Sequence, residues 1–293
     1  MHYIRTNVSQ IGDPFVLRAD GVYYMYATSS PAGFNVYRSE DLVSWENLGL
    51  CYDGLKGWGF MDFWAPEVVE YNGGYAMFFT AKSKALNALR TGVAFAKSPV
   101  GPFVDTGAPL FDFGYSTIDA SPFFDEDGQA YLYYVRDCSD NVIDGVHTSQ
   151  IYVTRLAPDL RSVEGVGELI STPDCAWECH PDWQWNEGPS VIKRGGKYYL
   201  TYSVNCFDSR EYSVGYAVSD SPTGPFRKAT ENPILRWREG EMSGPGHNSF
   251  FIDEAGNTRA AFHIHTAYER PSGDRTACIC DTSIEGGKLR FLV

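Results

Sequence analysis

Three carboxylates and a histidine recur at one place in this chain. Asp13, Asp119, Glu187 and His247 each lie eight or nine residues before a turn glycine, Gly21, Gly128, Gly195 and Gly256, and the matching residue before Gly73 is Ala65. Carboxylates gathered at one point perturb each other. Desolvation and like charge raise at least one pKa, while a neighbouring cation keeps another group ionised. That separates a proton donor from a proton acceptor. A protonated carboxyl that serves a leaving oxygen, opposite a carboxylate that activates water or attacks, is the equipment of glycoside hydrolysis. Singly, Asp13-Pro14 and Asp119-Ala120-Ser121-Pro122 read as turn or cap signals. Their common phase points to chemistry.

Equivalent positions converge only if the repeats close around an axis. Each repeat opens with an apolar strand, turns at glycine and returns on an aromatic strand, as in Pro14–Leu17, Asp20-Gly21 and Tyr23–Tyr26, or Val68-Val69, Asn72-Gly73 and Tyr75–Phe79. Asp-Gly and Asn-Gly tolerate the positive φ of tight hairpins. A third strand follows in each repeat, at Gly33–Arg38, Gly92–Ala96, Ile151–Thr154, Val214–Val218 and Thr276–Cys280, and the exit loop Ser98–Phe103 returns as Ser221–Phe226. The glycine spacing suits sheets of three to four strands and predicts an all-β, five-bladed β-propeller, one domain over residues 1–293. A β-sandwich gives no reason for reactive residues to share a phase. Either Tyr3–Val8 or Lys288–Val293 alone completes the last blade. One stretch, between Val135 and Asn186, breaks the rhythm and carries His147, Trp177, His180, Trp183 and Trp185. Those tryptophans form a lid or a platform for a sugar ring, or cover the loop's own core.

Aromatic residues make up 15% of the chain, and they interleave with small or β-branched residues, as strands prefer. The formal charge of −13 argues against nucleic acid or an anionic membrane as partner, since both require a basic surface. No apolar run is long enough to span a bilayer. Met1–Arg5 lacks the charged and apolar tandem of a secretory leader, which gives a cytoplasmic protein by default, or a secreted one whose leader has been removed. The seven cysteines are an odd count and read as reduced thiols, with Cys175 and Cys179-His180 finding no second ligand pair for a metal.

Several motifs together are more specific. Ile11–Phe15, Trp64–Glu67, Ile118–Phe124, Asn186–Pro189, Gly246–Ser249 and the segment His265–Arg275 resemble glycoside hydrolase family 43 over the whole chain. The resemblance implies an inverting mechanism on a five-bladed propeller, with Asp13 as general base, Glu187 as general acid and Asp119 tuning the acid's pKa and orienting the sugar. It also implies Phe34, Trp64, His247 and Arg275 as substrate-facing groups. The resemblance further places His247 near the axis beside a calcium or water, so a structural calcium in the channel, held directly or through water, is an expectation; the chemistry is expected to require no cofactor. The expected activity is exo-acting release of a terminal pentose from an oligosaccharide, with α-L-arabinofuranoside favoured and β-D-xyloside the alternative. A sugar-binding propeller without catalysis is the competing class. Glu67 either positions groups in the channel or is a surface charge, and His263 and His265 read as packing residues.

Overall fold

The computed structural model describes residues 3–293, which form strands and one short 3-10 turn, Gly54–Lys56. The chain is all-β, as expected. The strands form four sheets, the eight-stranded one spanning the first and last repeats through Tyr3–Ala19, and the five successive units of the repeat open on the strands Tyr3–Ala19, Gly59–Tyr71, Thr117–Phe124, Glu187–Arg194 and Gly246–Ile252. Second strands are Val22–Thr28, Gly74–Ser83, Ala130–Arg136, Lys197–Val204 and Thr258–His265. The predicted third strands all form, some extended by a few residues, as in Val146–Leu156. Asp20-Gly21, Asn72-Gly73 and Gly195-Gly196 place two consecutive residues at positive φ, the backbone that fits a two-residue hairpin to the twist of its strands.

The five opening strands touch in a closed cycle, each against the next and the fifth against the first. At the same place in every unit the pairing slips, between Gly12 and Phe15, Trp64 and Glu67, Ile118 and Ser121, Glu187 and Ser190, and Gly246 and Ser249. The residue at each slip is left-handed: Asp13 (φ 55), Ala65 (φ 46), Asp119 (φ 54), Gly188 (φ 54) and His247 (φ 46). A bulge of this kind re-aims the side chain out of the strand's alternation. In the fourth unit the equivalent residue is therefore Gly188, and Glu187 stands one place earlier. The reading that gave Glu187 the phase of Asp13 anchored on Gly195, but the two-glycine turn makes Gly196 the counterpart of Gly21 and Gly73.

Backbone N–H groups at four of these bulges are held by a side chain from the second strand of the preceding unit. Ala65 donates to Thr28 Oγ1 (2.9 Å), Asp119 to Thr80 Oγ1 (3.0 Å), His247 to Ser203 Oγ (2.8 Å) and Asp13 to His263 Nδ1 (3.2 Å). The corresponding third-unit residue is Val135, which has no acceptor. There the N–H of Gly188 donates to Asp119 Oδ2 at 2.9 Å.

Closure uses both chain ends. Residues 3–11 pair with the strand Arg275–Glu285, whose far end pairs with Lys288–Leu292, so neither terminus serves alone. The core lies between successive units and is largely aromatic. Phe34 belongs to it: fully buried, it stacks on Tyr52 (5.7 Å) and meets Phe63 and Phe79 edge-on. The expectation that Phe34 lines a sugar site is thereby corrected, because alternation on the strand Gly33–Ser39 turns its ring into the packing between the first two units.

Candidate active site

Three of the bulged residues, Asp13, Asp119 and His247, converge on a cavity of about 370 Å³ that Trp64, Glu187 and Arg275 also line, with further walls from Thr28, Leu89, Ile118 and Asp137 to Ser139. Its size falls in the range of small-ligand pockets. Asp13 is enclosed by donors: Thr28 Oγ1 donates to Oδ2 (2.6 Å), and Arg275 Nη1 (3.1 Å) and His247 Nδ1 (3.2 Å) face Oδ1. Burial pushes the Asp13 carboxyl up, but His247, Arg275, His263 and the Thr28 hydroxyl together hold it well below the usual carboxylate range. It is ionised at any working pH. Gly12 is required for this contact, since a Cβ there would lie 2.0 Å from the Arg275 guanidinium.

Glu187 has the opposite bias. Burial, then the Asp119 charge, push its carboxyl well above the ordinary range, against the Tyr212 hydroxyl that donates to Oε1 at 2.8 Å. Tyr212 itself is kept protonated by burial and by Glu187, and its ring lies flat on His263, 5.5 Å between centroids. A Cβ at Gly246 would collide with that ring, so glycine there seats the tyrosine. Asp119 lies between the two extremes. Burial and the Asp13 charge raise it to about 6, while His247 and the Gly188 N–H restrain the rise. The site thus holds one carboxylate and one carboxylic acid at neutral pH, with a third group titrating between them.

A profile of the family described as Glycosyl hydrolases family 43 matches residues 8–286. The chain belongs to glycoside hydrolase family 43. It is similar to a thermostable family-43 glycoside hydrolase of known structure, at 46% identity and a TM-score of 0.96, covering 99% of this chain and 95% of that one. Among curated relatives it is 28% identical to a β-D-galactofuranosidase of Aspergillus niger, over 91% of this chain and 77% of the relative. It is 26% identical to an extracellular exo-α-(1→5)-L-arabinofuranosidase of Streptomyces avermitilis, over 89% of this chain and only 56% of that relative. As a family 43 member the chain is a glycoside hydrolase, which sets aside the non-catalytic sugar-binding reading.

In this family 43 enzyme the pocket unites every expected site residue except Phe34. His247 spends Nδ1 on Asp13, and the Arg275 cation shares the same oxygen. That donor set does not fit a directly held calcium, which takes roughly six to eight oxygen ligands. Among the described residues one group gathers three ligand atoms, Asp174, Cys175 and Glu178, and the Lys228 ammonium already pairs with both of its carboxylates. His263 and His265 do more than pack. His263, kept neutral by burial and by Arg275, holds the Asp13 backbone, and His265 binds Ser243 Oγ (2.9 Å) and the carbonyl of Phe207 (3.0 Å), a pocket residue. Glu67 is buried beside Ser121 and raised to about 8, by burial first and Asp119 after, so it is neutral at pH 7.

Thr28, Asp137, Tyr212, Cys138, Cys206 and Phe207 reach the pocket without having been foreseen. Thr28 carries a signal that sequence reading missed: Thr28, Thr80, Val135, Ser203 and His263 each stand seven residues after Gly21, Gly73, Gly128, Gly196 and Gly256. Asp137 and Tyr212 stand outside the repeat and have no such marker. Burial pushes the Cys138 and Cys206 thiols up to about 12, so neither is a nucleophile at neutral pH.

Proposed function

We infer that this enzyme is an exo-acting, inverting glycosidase that releases terminal α-L-arabinofuranose from short oligosaccharides, on one five-bladed propeller domain. The closed cycle of five opening strands supports the propeller. The observation that carries the mechanism is the opposite protonation bias of two buried carboxyls in one pocket. In this reading Glu187 is the general acid; Tyr212 occupies Oε1, leaving the other oxygen to present its proton to the glycosidic oxygen. Asp13, fixed in its ionised form, takes a proton from water as that water attacks the anomeric carbon on the opposite face. Asp119 keeps Glu187 protonated through its charge and steadies the acid's strand through Gly188. The furanose preference is supported by the two relatives named for furanosides. A pocket of about 370 Å³ that combines buried carboxyls with the apolar Trp64, Ile118 and Leu89 suits a single terminal ring.

The test is proton NMR of early hydrolysis on arabinofuranoside, galactofuranoside and xyloside aryl substrates side by side. Expected is fastest turnover of the arabinofuranoside, with the inverted anomer formed first. First-formed product of the substrate's own configuration would remove Asp13 as a base acting on water, and a faster xyloside would overturn the sugar assignment.

A further inference from the structure

The expanded connection between the third and fourth units ends in a row of aromatic rings at the pocket mouth. Trp183–Trp185 is a three-residue strand paired in parallel with residues 147–149, so Trp183 and Trp185 point to the same side. The two indoles are near parallel, 6.4 Å apart and 20° between planes, and His147 lies flat on Trp183 at 3.9 Å and 6°. The imidazole is itself fixed by Nδ1 against the Cys138 carbonyl, 2.8 Å away. Both tryptophans line the catalytic pocket, yet Trp183 remains 39% exposed. Trp177, by contrast, packs inward on Tyr202 and Gly215. The cluster thus divides, with one ring serving the loop's own packing and two kept at the opening.

The segment is held rigidly enough to act as a preformed surface. Glu178, fully buried, receives the Tyr202 hydroxyl (2.7 Å) and the Lys228 ammonium. Just before the catalytic strand, buried Asn186 accepts from Ser171 Oγ at 2.7 Å and its N–H binds the Ser149 carbonyl. Exposed indole tethered in this way keeps apolar area in water, a standing cost that a stacked ligand removes.

Position identifies the ligand. Along the pocket wall exposure rises from buried Glu187 through half-buried Trp185 to exposed Trp183, so the row runs outward from the group that meets the leaving oxygen. We propose that Trp185 and Trp183 are successive stacking sites for the first and second sugar units of the leaving group. This rests on Glu187 being the acid, because the ring bearing the departing oxygen lies on the acid's side. The enzyme then selects oligosaccharides of at least three units over shorter ones. Flat, rigid aromatic faces meet the apolar C–H faces of sugar rings with little entropy lost on binding.

The experiment measures binding, apart from turnover. In an Asp13→Asn background, affinities for the one-, two- and three-unit members of the α-1,5-arabino-oligosaccharide and β-1,4-xylo-oligosaccharide series are measured by indole fluorescence and calorimetry, with and without Trp183→Ala. Expected is an affinity that rises with length in at least one series, and loss in Trp183→Ala of the gain from the third unit, about three- to tenfold, the size of one aromatic contact. Trp183→Phe should keep part of that gain. A length dependence that survives Trp183→Ala, or none in the parent, would overturn the platform. Length dependence in the xylo-series alone would sink the arabinose reading and leave the platform standing.

Discussion

Asp119 acts on the proposed acid and its strand, by charge and by a hydrogen bond. Its Oδ2 receives the Gly188 N–H, and its negative charge is the second cause, after burial, of the raised Glu187 carboxyl. Asp119→Asn separates the two roles, since the amide oxygen still accepts from Gly188 while the charge is gone. With Glu187 as the proposed general acid, activity falls as pH rises through its pKa. Asp119 is raised only to about 6, so at neutral and alkaline pH it is ionised and holds that pKa up. Neutralising it lets Glu187 ionise at lower pH. The alkaline limb of the pH–rate profile should therefore move down by about one unit. An unmoved limb with an unmoved rate would reduce Asp119 to a turn residue.

At the scale of elements, five bulges recur at one place in the units and three of them turn Asp13, Asp119 and His247 into the pocket, and each non-glycine among them costs about 1–3 kcal/mol in left-handed backbone. Four are offset by a hydrogen bond from the preceding unit, and the gap at Val135 leaves the fifth N–H for Asp119. Thr28 shows what a hydroxyl does in this position: it accepts from Ala65 N–H and donates to Asp13. Val135→Thr should therefore be well tolerated for a fully buried site, its hydroxyl finding Gly188, with less than about 1 kcal/mol lost. Val153→Thr, buried in an apolar cluster, should cost roughly 2 kcal/mol. Catalysis in Val135→Thr should fall several-fold as Asp119 loses its donor. Denaturant melts and kcat on one preparation check both, and full activity would show that the Asp119–Gly188 bond contributes nothing.

Closure brings buried carboxyls together across the whole molecule, with consequences for stability. Glu67 is neutral when folded at pH 7, raised to about 8, and ionised when unfolded. A raised folded pKa means that its full contribution is present below the unfolded value, near 4, and is lost as pH rises through about 8. The protein should lose stability across that window. Glu67→Gln, neutral at every pH, should flatten the loss by on the order of 3 kcal/mol between pH 5 and 9. Thermal melts at stepped pH measure it. Parallel pH profiles for the two proteins would mean that Glu67 keeps an ordinary pKa.

Glycine turns, alternating aromatic strands and the motifs around Asp13, Asp119 and Glu187 determined the all-β class, the repeat, the family and the convergence of the carboxyls, because hairpin geometry and strand alternation are local properties of a few adjacent residues. The same local logic missed by one residue at Gly188, where two adjacent glycines leave the turn's phase undefined. Phe34 failed for a different reason: the ring meets Tyr52, Phe63 and Phe79 from three other strands, and only their packing decides that it faces the core. Tertiary structure alone decided the protonation of the site. Burial of Glu187 and the Arg275 cation reaching over Gly12 to Asp13 arise between units far apart in sequence, where desolvation and charge depend on distances that no spacing encodes.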